Sequence, residues 1–205
     1  MFRQLEFLLR ELALKMEDFD LFAVATGPGS FTGLRVGLTA VKGWAEVCGR
    51  PIATISTLEA VAGQSHASAE RLIPVLDARR GQIYFAVYEK NGDLDRGLGL
   101  INRERVGTPE EFLDQVELEA KRGQPAIVTP VPELLAELLS RCESDGGRGT
   151  RRPQLRIEEV SPGLAPYVGR LALVHLRQGR VTDPLHLDAN YVRRSDAELH
   201  WKVPD

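Results

Sequence analysis

The sequence predicts an α/β protein, and three observations carry that prediction. Short apolar runs with β-branched or aromatic content, such as Leu21 to Ala25, Pro51 to Ile55 and Leu72 to Leu76, read as strands buried on both faces. Helical periods alternate with them, and Leu34 to Cys48, closed by Gly49, is the longest. Helix-start signals fall between runs, as at Ser56-Thr57-Leu58-Glu59 and Thr108-Pro109-Glu110-Glu111. Strand, glycine-rich turn, helix and strand over residues 21–55 make a βαβ unit, whose crossover is right-handed.

Taken in order, residues 2–16 place Phe2, Leu5, Leu9, Leu12 and Met16 at helical spacing, with Leu8 beside them and Arg3, Glu6, Arg10 and Glu11 at polar positions. Such a stripe faces a core, a partner, or each on a different side. The strand at Leu21 then runs into Thr26-Gly27-Pro28-Gly29-Ser30-Phe31-Thr32-Gly33. Gly27 and Gly29 reach backbone angles closed to other residues, and Pro28 stiffens the link between them. Free N–H groups where a helix begins attract anions, so Gly27, Gly29 and Ser30 are candidate phosphate contacts. The spacing matches neither nucleotide fingerprint: Thr32 stands where G-x-G-x-x-G needs glycine, and Gly33 is followed by Leu34 instead of lysine. A tight structural turn is the competing account.

Gly33 and Gly37 lie four apart on the next helix, with Ala40, Val41 and Trp44 continuing that side. Each glycine weakens a helix by roughly 1 kcal/mol relative to alanine. The compensating use is close approach of another backbone, either this chain's own sheet or a second helix. After the helix from Ser56 to about Ala62 and a polar connection, strands are expected at Leu72 to Leu76, Gln82 to Tyr88 and, beyond the hairpin signal Asn91-Gly92, about Leu98 to Arg103. The turn Asp77-Ala78-Arg79-Arg80-Gly81 carries a charged cluster between buried strands. Arg79 and Arg80 are suited to a phosphate or carboxylate. Alternatively Asp77 ties down its own turn while the arginines stay solvated. A capped helix to about Ala120, a strand at Ala126 to Thr129, a leucine-striped helix from Glu133 to Arg141, a loop from Glu143 to Pro153 with Arg148, Arg151 and Arg152, a strand at Leu155 to Val160 and a helix from about Gly163 to Gln178 complete the order. Pro184 to Trp201 is expected to cross back to the first part of the chain.

The run from Gly27 to Leu38, Gly-Pro-Gly-Ser-Phe-Thr-Gly-Leu-Arg-Val-Gly-Leu, closely resembles the signature of the bacterial YeaZ/TsaB family. Leu76-Asp77-Ala78-Arg79-Arg80-Gly81-Gln82-Ile83-Tyr84 and Tyr191-Val192-Arg193-Arg194 are similar to further stretches of it. The resemblance implies an actin-like/hsp70-like ATPase (ribonuclease H-like) fold in two subdomains. The first is expected over residues 1–66 plus about 184–205, the second over residues 67–183. It also implies a non-catalytic partner of a TsaD-like subunit in making threonylcarbamoyladenosine in tRNA. The implied partners are that TsaD-like subunit, a TsaE-like ATPase in the assembled complex, tRNA indirectly, and a second copy when alone. The implied docking surface joins the first helix (Leu5, Leu9, Leu12) to the second (Gly33, Gly37, Val41, Trp44). ATP or ADP is expected at a partner interface. Family members place a strand, an Ile-Asp-Thr-Ser-like turn and a hairpin before the first helix. The printed sequence opens in that helix, so a first subdomain truncated at its N-terminus is expected. The strand at Leu21 to Ala25 would then have an unpaired edge, with marginal stability, self-association or completion by another chain as the consequence.

The chain has 205 residues, 43% hydrophobic and 27% charged, with net charge −3, an ordinary globular balance that makes a poor direct RNA binder. No apolar run approaches the roughly 20 residues of a membrane span. Cys48 and Cys142 are too few for a disulfide framework, so the cytoplasm is the expected compartment. His66, His175, His186 and His200 are scattered, without metal-ligand spacing, and the His-x-x-x-His motif of TsaD relatives is absent from the sequence. Ser30 is not in a nucleophile elbow, and no catalytic residue is assigned. A nucleotide-dependent ATPase or phosphotransferase of the same fold, and a self-associating structural module, are the alternatives.

Overall fold

A computed structural model describes residues 2–92, 96–144 and 155–193. The expected basic loop at Arg148, Arg151 and Arg152, along with His200 and Trp201, lies outside those residues. The α/β class is observed, in two sheets. Helix α1 (Phe2–Glu11) stops short of the expected residue 16, because Ala13 takes a left-handed φ of +52°. A short 3-10 turn at Met16–Asp18 leads to β1 (Phe22–Gly27), α2 (Phe31–Cys48), β2 (Ile52–Ser56) and α3 (Thr57–Ala62). Then come β3 (Arg71–Arg79), β4 (Gln82–Lys90), β5 (Leu98–Gly107), α4 (Pro109–Ala120), β6 (Ala126–Thr129), α5 (Pro132–Ser144), β7 (Arg156–Glu159) and α6 (Ala165–Arg177).

β1 and β2 pair in parallel as a two-stranded sheet. The second sheet has the order β5-β4-β3-β6-β7, with an antiparallel meander β3-β4-β5 and parallel pairs β3–β6 and β6–β7. Both are layered between helices. α2 packs Leu38, Val41 and Ala45 on Phe22, Val24 and Ile52. On the other face of the small sheet, α6 sets Val168, Leu171 and Ala172 against Ala53 and Ile55. α3 covers one face of the large sheet with Leu58, Val61 and Ala62. α4 and α5 cover its opposite face with Phe112, Val116, Leu135 and Leu138. The division expected between residues 66 and 67 is therefore interleaved. α3, from the first part, lies on the large sheet, and α6, from the second, lies on the small one.

Local signals behave unevenly. Thr108 forms the expected capping box with Glu111, with Pro109 in the first turn. Ser56 caps α3 by accepting from the N–H groups of Leu58 and Glu59, but the Glu59 side chain leaves the cap. It meets His175 Nε2 at 3.0 Å in the interior, both residues buried. Cys48 packs at the end of α2, its Sγ 3.7 Å from the Met16 carbonyl oxygen.

Candidate functional site

Residues 187–193 form a strap that binds the two sheets together, and the site is built around it. Leu187 is buried in the core of the small sheet, whereas Val192 packs on the core of the large one. Asn190 donates its backbone N–H to the Thr26 carbonyl at 2.8 Å and its side-chain amide to Glu104. Arg193 donates to the Ala78 carbonyl at 2.8 Å, and Tyr191 OH accepts from Arg35 Nε at 3.2 Å. The strap presses so closely that a Cβ on Gly27 would stand 2.8 Å from the Asn190 oxygen, and Gly27 has φ +119° besides. Only glycine fits there.

Two cavities flank the strap. One, of about 550 Å³, is lined by Ser56, Glu59, Tyr88, Glu104, Arg103 and Arg180 among others. Glu104 is buried and collects three donors, the hydroxyls of Ser56 and Tyr88 and the amide of Asn190. Each donor comes from a different segment, so one carboxylate joins β2, β4 and the strap. Burial, and after it the Glu104 carboxylate, pushes the Tyr88 phenol far above its ordinary range. The other cavity, of about 630 Å³, opens where the β1–α2 turn, the β3–β4 turn and the strap converge. Gly29, Arg79 and Arg80 line it, so both predicted anion turns reach one space, and Arg35 and Arg193 join them.

The other predicted anion contacts are engaged elsewhere. Ser30 caps α2, its Oγ accepting from the Gly33 N–H at 3.3 Å. Gly27 serves the strap. Asp77 closes its own turn, its Oδ1 accepting from the Arg79 N–H at 2.7 Å and its Oδ2 lying 3.2 Å from Arg79 Nη1.

The predicted docking residues divide. On α1, Leu5 and Leu9 are half-buried, while Phe7, Leu8 and Leu12 are 61%, 53% and 63% exposed. On α2, Val41 is buried in the core and Trp44 packs against it, so neither belongs to an open face. Gly33 is exposed, and its Cβ would meet only Ser30 at 3.4 Å. Gly37 is not packed on the sheet: a Cβ at Gly37 or Gly43 meets nothing within 4 Å among the described residues. Val36 and Val47 are exposed as well. Helical period places Val36, Gly43 and Val47 together on the side away from the sheet. Sequence reasoning missed that set, together with Arg35, Arg193 and Glu104. The available signal was the spacing of Val36 and Val47, eleven residues apart and so on one side of the helix, away from the side of Leu38, Val41 and Ala45. Among the described residues, no group of three or more His, Cys, Asp or Glu is placed to hold a metal, and no helix is long and apolar enough to cross a membrane.

Two layered sheets clasped at a cleft are the architecture of the actin-like/hsp70-like ATPase class. The family described as TsaD, tRNA N6-adenosine threonylcarbamoyltransferase, matches residues 2–136. The tRNA threonylcarbamoyladenosine biosynthesis protein TsaB of Bacillus subtilis is 39% identical over 204 residues, covering 95% of this chain and 78% of that protein. The TsaB of Haemophilus influenzae is 33% identical over 118 residues, 54% of this chain and 50% of that protein. A solved structure from Pseudomonas aeruginosa, described as an uncharacterized protein with similarity to peptidase YEAZ, has TM-score 0.71 at 22% identity. That match covers 94% of this chain and 82% of the other, and it establishes the fold. The chain belongs to the YeaZ/TsaB family.

Proposed function

We propose that this chain acts in tRNA threonylcarbamoyladenosine biosynthesis as a non-catalytic subunit that docks on a TsaD-like transferase and activates it. The observation that carries the reading is the uncovered apolar surface of α1 and of the outer side of α2. Phe7, Leu8, Leu12, Val36 and Val47 are exposed there, and Gly37 and Gly43 leave room for a second helix to approach. Activation follows if the docked surface favours the transferase's active conformation, since a partner shifts an equilibrium only by its differential affinity. The TsaE-like ATPase joins the assembled complex, and the transferase does most of the tRNA holding. In the absence of the transferase the same surface pairs two copies of this chain.

The test is light scattering on a sizing column, with this chain alone and mixed with the TsaD-like subunit of the same source. A peak at the summed mass is expected from the mixture. Gly37→Arg should abolish that peak while leaving the thermal transition in place, because nothing within the chain occupies the space its side chain enters. Unchanged complex formation by Gly37→Arg would remove α2 from the docking surface.

A further inference from the structure

Helix α6 has an outer side that the small sheet does not use. Val168, Leu171 and Ala172 turn inward onto that sheet. On the other side Gly169, Leu173 and Leu176 recur at spacings of four and three, which sets them in one strip. Leu173 and Leu176 are 50% and 40% exposed. A Cβ at Gly169 would meet nothing within 4 Å among the described residues, so the strip dips at that end. Single exposed leucines are ordinary, but two on one strip beside an open glycine leave room for another chain's side chains.

Charge marks the edge of the strip. Arg170 and Arg177 stand seven residues apart, about two turns, so both lie on the same flank of Leu173. Both are exposed, and neither has an ion pair or hydrogen bond among the described residues. Arg177 suits the last turn of a helix on its own account, whereas Arg170 stands mid-helix, where the dipole does not call for it. Other helices supply their arginines with a partner four residues away, Glu6 for Arg10 on α1 and Glu137 for Arg141 on α5. α6 supplies none. Residues 160–182 contain no Asp or Glu, although the chain has net charge −3.

We propose that the outer side of α6 docks an acidic amphipathic helix of another protein, its apolar side chains seated along Gly169, Leu173 and Leu176 and its carboxylates set against Arg170 and Arg177. An apolar strip at helical spacing accepts a second helix along its length. Cations left unmatched by their own helix take carboxylates at the rim of such a contact. A nucleic acid would find the arginines, but no aromatic ring among these residues to stack on and two leucines against its backbone. α2 and α6 cover opposite faces of the small sheet, so this contact is separate from docking through α1 and α2 and stands independently of it.

The probe is a synthetic helical peptide with leucines at spacings of three and four and glutamates beside them. It is titrated into the isotopically labelled 205-residue chain and followed by amide NMR. Saturable binding with shifts centred on Gly169, Leu173 and Leu176 supports the proposal. No saturation at millimolar peptide, or shifts centred elsewhere, overturns it. Arg170→Glu with Arg177→Glu should weaken binding about tenfold or more, and a peptide with lysines in place of the glutamates should then bind that double variant better than it binds the parent. Leu173→Ser should weaken binding about fivefold and leave the thermal transition in place, since half of that side chain is already in water. Arg122→Glu, beyond α4, should leave the affinity unchanged, and an equal loss there would mean diffuse charge attraction and overturn the site. An oligouridine RNA that shifts the same amides at lower concentration than the peptide would give the face to nucleic acid and overturn the acidic helix as occupant. Repeated in the complex with the TsaD-like subunit, the titration should return the same affinity. Loss of binding there would make α6 part of that subunit's surface and overturn a separate partner.

Discussion

The two sheets begin from the same unit and complete it differently. β1-α2-β2-α3 and β6-α5-β7-α6 each pair two strands in parallel across a helix and then send the next helix away. In the large sheet β6 continues into β3, β4 and β5, so its middle strands are buried on both faces and both edges. In the small sheet β1 has β2 on one side and no strand on the other among the described residues. The Phe22 N–H bonds toward β2, reaching the Pro51 carbonyl, so alternation turns the backbone groups of Ala23 and Ala25 to the open side. Burial marks the open edge itself. On β1 Phe22 and Val24 retain 8% exposure, as do Leu38 and Val41 on the helix over them, whereas Ile52 and Ile55 on the inner strand β2 are 0% exposed, like Phe85, Ile73 and Ile127 in the large sheet. The large sheet is a finished core, and the small one depends on what lies against it.

The largest effect should separate the two cores directly. Phe85 stacks edge-on against Phe112 at 5.6 Å, and Phe85→Ala should cost about 3–5 kcal/mol of unfolding free energy. Val24→Ala, in the small sheet, should cost only about 1–2 kcal/mol. Urea titrations of both variants measure this, and equal costs would erase the contrast.

The junction between the sheets should respond to pH. The folded-state value of Tyr88 lies above the unfolded value near 10, so the folded protein holds that proton more tightly. The stability it contributes is complete below about pH 10 and falls as pH rises further. Tyr88→Phe should flatten the decline in urea midpoint between about pH 9 and about pH 11. An identical slope in variant and parent would free Tyr88 of that role.

The smallest effect concerns the outer side of α2. Gly43→Ala should raise the stability of the dilute monomer by up to about 1 kcal/mol, since glycine weakens the helix and the new methyl meets open space within the chain. A loss in the dilute monomer would mean that this side is covered from within the chain, whereas a loss confined to concentrations at which two copies pair would mark it as the paired surface.

The elements legible in the sequence were those specified by neighbours in the chain. The β1–α2 turn, the Thr108 cap and the β3–β4 hairpin are local patterns, and each lies where its residues indicated. The Glu59 signal was misleading because a buried histidine 116 residues away competes with the cap, and it prevails. Glu104 gave no warning at all: set in Arg103-Glu104-Arg105, it reads as one more solvated position of an edge strand. Its partners Ser56 and Asn190 lie 48 and 86 residues distant. The arginine cavity was half visible. Arg79 and Arg80 marked themselves by sitting on a turn, whereas Arg35 joins through Tyr191, 156 residues further on. Val41 was misplaced for a simpler reason. A spacing of four drifts around a helix, so a line begun at Gly33 has turned into the core by Val41.

The exchange of α3 and α6 between the sheets bears on how the chain matures during synthesis. The small sheet is translated early, yet the helix that covers its second face is translated more than a hundred residues later. For that interval this side of the nascent β1–β2 pair has only Ala60 of α3 against it, and its contact with α6, of high sequence separation, closes slowly. The waiting surface is mostly alanine, Ala23, Ala25 and Ala53 with Ile55, and so offers little for a wrong partner to grip. Small side chains on that face protect an early strand pair until its late helix leaves the ribosome.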